Sequence, residues 1–274
     1  MSHPNNIKGP IEHQDKLGTR QVFTSTRHAI HGEDEDEVTK PAPRLGRRES
    51  EPHSAEINYM HDVFTTNYPG GRVLWDLHHY FIVDGVKHDI QFDISFFKDF
   101  QLDKDLSSYD ASKFGNKVPD LAINVLSKGT WRDDIGLHVD LCRVVGIPAY
   151  MIFLPYPVAG FPFSPPFLRI YFLQDDGNYG IRELRSLSLD RSGGLVLDNF
   201  VDLSPVLYLK VGLIEKDRVY YPDFREYRLV FLDEGTGEIL KTKLEVVVEE
   251  KDEVIKEKDR IIAELKSKLK ENIK

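Results

Sequence analysis

Polar side chains stand inside an otherwise apolar part of this chain, residues 118–154, where they could perform chemistry. Asn124 falls within the apolar run 121–126, and an amide in such a run must be hydrogen-bonded or functional. His138 follows in the next segment, where an imidazole could act as a general base or bind a metal ion softer than Mg²⁺. Taken alone, the residue types favour plainer roles: Asn124 bonds a buried backbone group, and His138 is an ordinary helix-surface residue.

The same segment predicts the elements that position these side chains. Residues 118–127 indicate a buried strand, residues 132–145 an amphipathic helix ended by Gly146, and the residues that follow a second buried strand. Because a helix joins two nearly continuous apolar strands, we expect them to be parallel and covered on both faces. The single cysteine, Cys142, lies on the apolar side of the helix and is predicted to be a buried, inert thiol.

Flanking patterns complete a mixed α/β prediction. Upstream, we expect a short helix over residues 54–66 with Ser54 as N-cap, then strands over residues 73–83 and 86–97 joined by an Asp84-Gly85 hairpin turn. A polar, helical connection is predicted over residues 99–117. Downstream, the pattern indicates a hairpin over residues 167–187 and short strands near residues 206–213 and 227–231.

Six residues of the central strand carry a resemblance to a known family: Pro119, Asp120, Leu121, Val125, Leu126 and Ser127. The segment resembles the Uma-type restriction endonucleases, a bacterial branch of the PD-(D/E)XK nuclease superfamily, in which this strand typically reads PDLVVEVLS. In that family a helix follows with an Asp and, four residues later, a Lys. Here Asp134 matches the Asp, while Asn124 replaces the catalytic Glu and His138 replaces the Lys. The resemblance covers roughly residues 54–243.

The resemblance implies a restriction-endonuclease-like core, in the order helix, strand, strand, strand, helix, strand, and metal-dependent cleavage of DNA. Two acidic side chains would hold Mg²⁺ or Mn²⁺ while a Lys orients the attacking water. Asp93 fits the upstream acidic position, so the implied catalytic residues are Asp93, Asn124 and His138, and the implied metal ligands are Asp93, Asn124 and Asp120. Asp120 is also a natural strand-entry residue, and the charge of Asp134 suits the first turn of a helix for structural reasons.

Two functions therefore stay open. The first is a divergent metal-dependent DNA phosphodiester hydrolase with an eroded active site, since Asn124 brings no charge and His138 lacks the constant charge of a Lys. The second is a catalytically inactive nuclease-fold protein that acts as a binding or oligomerisation module through its C-terminal helix.

Charge bears on the choice of partner. The net charge is -9, and residues 54–242 contain 19 basic and 27 acidic residues. DNA is implied by the resemblance, but this balance does not support it, because phosphate neutralisation supplies most non-specific affinity for nucleic acid. The chain has no apolar run of membrane-spanning length and no apolar N-terminal signal, so we expect a cytoplasmic protein without membrane contact.

Three zones are predicted along the chain. Residues 1–53 are expected to be a disordered extension, residues 54–242 the nuclease-like domain, and residues 243–274 an amphipathic, coiled-coil-like helix. In that helix a first seam position recurs every seven residues, at Val248, Ile255, Ile262 and Leu269. The second seam position holds Leu244, Lys251, Lys258 and Leu265, and its lysines weaken a pure coiled coil. We expect a second copy or a protein partner on this stripe; the alternative is a helix that folds back on its own core.

Overall fold

The computed structural model describes residues 50–102, 105–204, 206–217 and 224–272. Most of the predicted N-terminal extension therefore lies outside the described residues. No helix in the described ranges is both long and apolar enough to span a membrane.

Seven strands form one mixed sheet, in the spatial order β3, β1, β2, β4, β5, β6, β7. In chain order they are β1 (Arg72–Val83), β2 (Val86–Phe97), β3 (Tyr109–Asp110), β4 (Leu121–Val125), β5 (Ala149–Leu154), β6 (Phe167–Leu173) and β7 (Tyr179–Leu184). The pairs β4–β5 and β1–β3 are parallel, and the other neighbours are antiparallel. The predicted α/β class and the parallel pair across the helix are confirmed.

The helices differ in detail from the prediction. Helix α1 (Glu51–Asn67) begins three residues before the predicted N-cap Ser54, with Ser50 as N-cap and Pro52 in the first turn, a position that tolerates proline. The single helix predicted over residues 132–145 is divided into α2 (Trp131–Asp134) and α3 (Leu137–Val145). The chain leaves helical geometry at Gly136 (φ -123°, ψ -95°), where a Cβ would lie 3.1 Å from the carbonyl oxygen of Arg132.

The helical connection predicted over residues 99–117 is wrong. The described part of it contains β3 and one 3₁₀ turn, Ala111–Phe114. The Asp110 carboxylate accepts a hydrogen bond from the Ser112 backbone N–H, and Gly115 ends the turn in the left-handed region (φ 66°). Such local side-chain bonds and a glycine compete with a regular helix.

A second, three-stranded sheet lies after the central one in sequence. It consists of β8 (Val201–Asp202), β9 (Leu209–Glu215) and β10 (Tyr227–Asp233), in the order β10, β9, β8. Two of these strands were predicted, but their separation into a sheet of their own was not. The chain then forms the long helix α4 (Lys243–Asn272), which confirms the predicted C-terminal helix. Apart from the two-residue strand β3, the elements from α1 to β5 follow the predicted order of helix, strand, strand, strand, helical segment (α2 and α3) and strand.

The side chains of β4 alternate between two apolar cores. Leu121, Ile123 and Val125 join α1 and the second sheet in one core, whereas Ala122 joins α3 side chains such as Cys142 in the other. Because side chains two apart in a strand share a face, this alternation directs Asn124 toward the α2–α3 layer.

Candidate functional site

The candidate site lies where β2 and β4 separate. Their paired register ends at Ile94 and Ile123, and beyond this point side chains connect the two strands. The backbone N–H of Asp93 donates to Oδ1 of Asn124 at 3.2 Å, and the backbone N–H of Val125 donates to Oδ2 of Asp93 at 2.6 Å. These two bonds replace the ladder bonds that would otherwise continue here.

A change of face in β2 positions the Asp93 side chain. Ile94 and Phe96 belong to the α1 core, whereas Phe92, an even number of residues away, belongs to the opposite core. Opposite Asp93, the pairing with β1 is interrupted at Asp76, whose φ of 51° lies in the left-handed region. The Asp93 side chain is thereby turned toward the end of β4, and only 14% of it is exposed.

The amide of Asn124 is engaged at both of its ends. Its Nδ2 donates to Oδ1 of Asp134 at 2.6 Å, while its Oδ1 accepts from the Asp93 N–H. The reversed amide would direct NH₂ at the N–H of Asp93 and oxygen at the Asp134 carboxylate, so these neighbours fix its orientation. Asn124 is 4% exposed. The sequence prediction that this amide bonds a buried backbone group is met, and it also bonds a carboxylate.

Asp134 is the buried centre of the helix side of the site. It is 2% exposed, and Nδ1 of His138 lies 3.1 Å from its Oδ1. Its Oδ2 is buried without a hydrogen-bond partner among the described residues. The first-turn position alone would explain a solvated acid, so the sequence interpretation of Asp134 is incomplete: its carboxylate binds side chains inside the protein.

Asp134 also affects two buried neighbours. Burial, reinforced by the Asp134 charge, raises the pKa of the Cys142 thiol and of the Tyr150 phenol well above their ordinary values. The Tyr150 hydroxyl donates to the backbone oxygen of Asp134 at 3.1 Å. This hydrogen bond connects the end of α2 to β5. Cys142 is buried, as predicted; that its thiol is inert stays a prediction.

His53 completes the site and was missed by the sequence interpretation. Its Nε2 lies 2.9 Å from the carbonyl oxygen of Val125 and 3.4 Å from Oδ2 of Asp93. Because a carbonyl oxygen only accepts, Nε2 carries a hydrogen in this arrangement. The sequence predicts that His53 belongs to the N-terminal extension, since no periodicity of its own indicates that it lies in the first turn of α1.

Asp120 does not join these residues. Its Oδ2 accepts the backbone N–H of Lys98 at 2.8 Å, and its own N–H donates to the oxygen of Phe96. It precedes β4, whereas Asn124 is near the far end of that strand, about 13 Å away at ordinary strand rise. The structure therefore gives Asp120 the strand-entry role.

The contacts join five side chains in one continuous row: His53, Asp93, Asn124, Asp134 and His138. We call this group of side chains the polar row. Mg²⁺ requires several oxygen ligands with anionic charge. In the polar row, the Asn124 oxygen faces a backbone N–H, and the amide NH₂ separates the two carboxylates. No cluster of three or more His, Cys, Asp or Glu side chains in the described ranges has the arrangement of a metal site. The residues present do not fit Mg²⁺ or Mn²⁺.

Known proteins resemble this chain in structure rather than in sequence. No family model matches the chain, and no curated protein matches it in sequence. A crystal structure from Anabaena variabilis, described as a "putative nuclease belonging to DUF820", aligns at 15% identity and a TM-score of 0.38. The alignment covers 51% of this chain and 70% of the other.

Proposed function

We propose that this chain is a restriction-endonuclease-like protein that has kept the nuclease frame, has lost metal-dependent DNA hydrolysis, and acts as a binding and assembly module. One observation carries the proposal: the Asn124 amide is hydrogen-bonded at both ends between Asp93 and Asp134. A nuclease of the Uma-type family, which the sequence resembles, needs an anionic metal ligand at the position of this amide.

The physical cost of metal binding supports the same conclusion. An incoming Mg²⁺ would have to share the Asn124 oxygen with the Asp93 N–H, while the amide hydrogens would remain between the carboxylates. Asn124 offers no charge to offset dehydration of the ion. The acidic balance of residues 54–242 adds repulsion toward a phosphate backbone.

A second candidate is the divergent DNA phosphodiester hydrolase, and one contact favours it. Oδ1 of Asp134 lies 3.1 Å from Nδ1 of His138, an arrangement that orients an imidazole and leaves its other nitrogen to accept a proton. The His138 side chain is 17% exposed. In this alternative His138 acts as general base and Asp93 as the surviving acidic group.

Calorimetric titration of Mg²⁺ and Mn²⁺, together with a plasmid-cleavage assay, tests the proposal. We expect no saturable binding and no cleavage by the wild type. The double variant Asn124→Glu, His138→Lys restores the family's charged groups and should gain metal binding that the added Asp93→Asn change removes. That triple variant is the control, since it keeps both restored residues.

The two candidates give opposite results for the wild type. Metal-dependent cleavage that disappears in both Asp93→Asn and His138→Gln would overturn the proposal in favour of the divergent hydrolase. Each single variant needs a thermal unfolding curve beside it, because both side chains belong to the polar row and also support the fold.

A further inference from the structure

Helix α4 presents an apolar stripe that the described part of the chain leaves largely exposed. Eight of its large apolar side chains are between 45% and 71% exposed: Leu244, Val248, Val254, Ile255, Ile261, Ile262, Leu265 and Leu269. The alternative in which the helix folds back on its own core is therefore wrong for most of its length. A contiguous exposed stripe of this kind marks an interaction surface.

Only the first half of α4 borders the body of the protein. Leu244 and Val248 line a cleft of about 740 Å³, together with Tyr59 of α1 and Val230 of β10. The α4 side of this cleft extends no further than Lys256. The stripe beyond that residue therefore needs an occupant from outside the described chain.

The charges of α4 are divided along its length. Residues 244–257 contain six acidic and two basic residues, whereas residues 258–269 contain four basic and two acidic residues. Two copies of α4 packed side by side in antiparallel orientation bring the acidic half of each helix beside the basic half of the other. Parallel copies instead place like halves together, which is unfavourable between neighbouring helices.

The seam lysines favour the same orientation. In a parallel pair, residues at one seam position face their own equivalents, so Lys251 would face Lys251 and Lys258 would face Lys258. In an antiparallel pair the first seam faces the second, so each lysine meets an isoleucine and its ammonium can extend to the rim. The register that pairs Leu244 with Leu269 of the second copy also pairs Val248 with Leu265.

We infer that α4 pairs with α4 of a second copy of this chain in antiparallel orientation, over the length from Leu244 to Leu269. This inference rests on the proposed function, of which it names the partner. The occupant is a second copy because the complementary charge lies on the same helix and because the antiparallel register gives every seam lysine an apolar partner.

Oligomeric state is the first test. The full chain should sediment as a dimer that dissociates on dilution, and high salt should weaken it because exposed charges are screened. Leu265→Glu places a charge opposite Val248 and should weaken dimerisation at least about tenfold. Ser267→Glu, the matched control, introduces the same residue on the opposite face and should change the dissociation constant little. A monomer at all concentrations overturns the inference.

Cross-linking tests the orientation. In a Cys142→Ala background, Leu244→Cys and Leu269→Cys chains should form a disulfide with each other when mixed, and neither should do so alone. Self-linking of either single variant indicates a parallel pair and overturns the inference. Neither readout depends on the polar row. Metal binding by a protein that forms this dimer would therefore overturn only the proposed function. A monomer that binds no metal would overturn only this inference.

Discussion

Asp93 and Asn124 exchange hydrogen bonds across the gap between β2 and β4: Oδ1 of Asn124 accepts the Asp93 N–H at 3.2 Å, and Oδ2 of Asp93 accepts the N–H of the residue after Asn124 at 2.6 Å. Each side chain thus satisfies a backbone donor that has lost its ladder partner. In a low-dielectric surrounding such a donor is costly when left alone. The two residues at the motif positions therefore stabilise the end of the sheet.

From the contacts of the polar row we expect the nearly isosteric change Asn124→Asp to lower the free energy of unfolding substantially. The variant replaces the amide NH₂ by a carboxylate oxygen at the place 2.6 Å from Asp134 Oδ1. We expect the free energy of unfolding to fall by about 3 kcal/mol near neutral pH, since a buried donor becomes a like charge. Urea unfolding followed by circular dichroism measures the difference. Acidification should reduce it, because neighbouring carboxylates take up a shared proton.

Asn178→Asp is the matched control for this change. Asn178 Nδ2 also donates to a carboxylate, that of Asp176, at 3.1 Å, but in an exposed turn. There the charge is solvated, so the loss should be within about 0.5 kcal/mol. Equal losses at the two positions would contradict this prediction, because burial of the polar row would then have no energetic consequence.

The buried imidazole of His79 should make the stability of the fold depend on pH. Burial lowers its pKa from 6.5 to about 4, and Nε2 and Nδ1 lie 2.8 Å from the Ser95 hydroxyl and the Leu77 oxygen. Between these two pKa values the unfolded chain binds more protons than the folded one, so His79 stabilises the fold above pH 6.5 and this contribution is lost as the pH falls toward 4.

The loss attributable to His79 should be about 2 kcal/mol between about pH 7 and about pH 5. Denaturant titrations at the two pH values measure it in the wild type and in His79→Gln, which keeps a polar group at this position and removes the titration. A pH slope of equal size in both proteins would show that other groups dominate this window.

Regular patterns in the sequence predicted much of the fold. The Asp84-Gly85 turn forms with both residues at positive φ (51° and 77°) and pairs Val83 with Val86, because local turn chemistry determines such a hairpin. The nearly continuous apolar runs of β4 and β5, joined by a helix, similarly predicted a parallel pair. The division of the helix at Gly136 could not be predicted this way, since the apolar period continues across the break. The close approach of the Arg132 carbonyl oxygen to Gly136 is visible only in the folded structure.

The site was less predictable than the fold. The predicted site residues Asn124 and His138 both contact the Asp134 carboxylate. No linear pattern in the sequence reveals that Asp134 is buried and lies between them. His53 reaches Asp93 from an element 40 positions earlier in the chain, and only the packing of α1 on the sheet creates that contact. Asp120 was included because it belongs to the motif, although an extended strand necessarily separates it from Asn124.

A buried ion cluster between α1 and the second sheet predicts a further stability effect. Glu56 is 1% exposed, and its carboxylate lies 2.8 Å from Lys216 Nζ and 3.3 Å from Arg228 Nε. Glu56→Gln keeps the shape of the side chain and removes the carboxylate charge beside Arg228 and one of two beside Lys216, which also lies 3.3 Å from the buried Glu226 carboxylate. We expect a loss of about 3 kcal/mol in the free energy of unfolding, measured by urea titration.

Glu215→Gln provides the control for the cluster, because Glu215 ends β9 next to Lys216 in the chain and pairs with Arg225 at 3.2 Å in an exposed position. Solvent screens this pair, so its loss should cost no more than about 0.5 kcal/mol. Losses of similar size for the two variants would contradict the view that desolvation makes Glu56 indispensable to its partners. A selective loss for Glu56→Gln would instead mean that the second sheet is fastened to α1 by a buried charge, so that movement of that sheet away from α1 requires breaking the cluster.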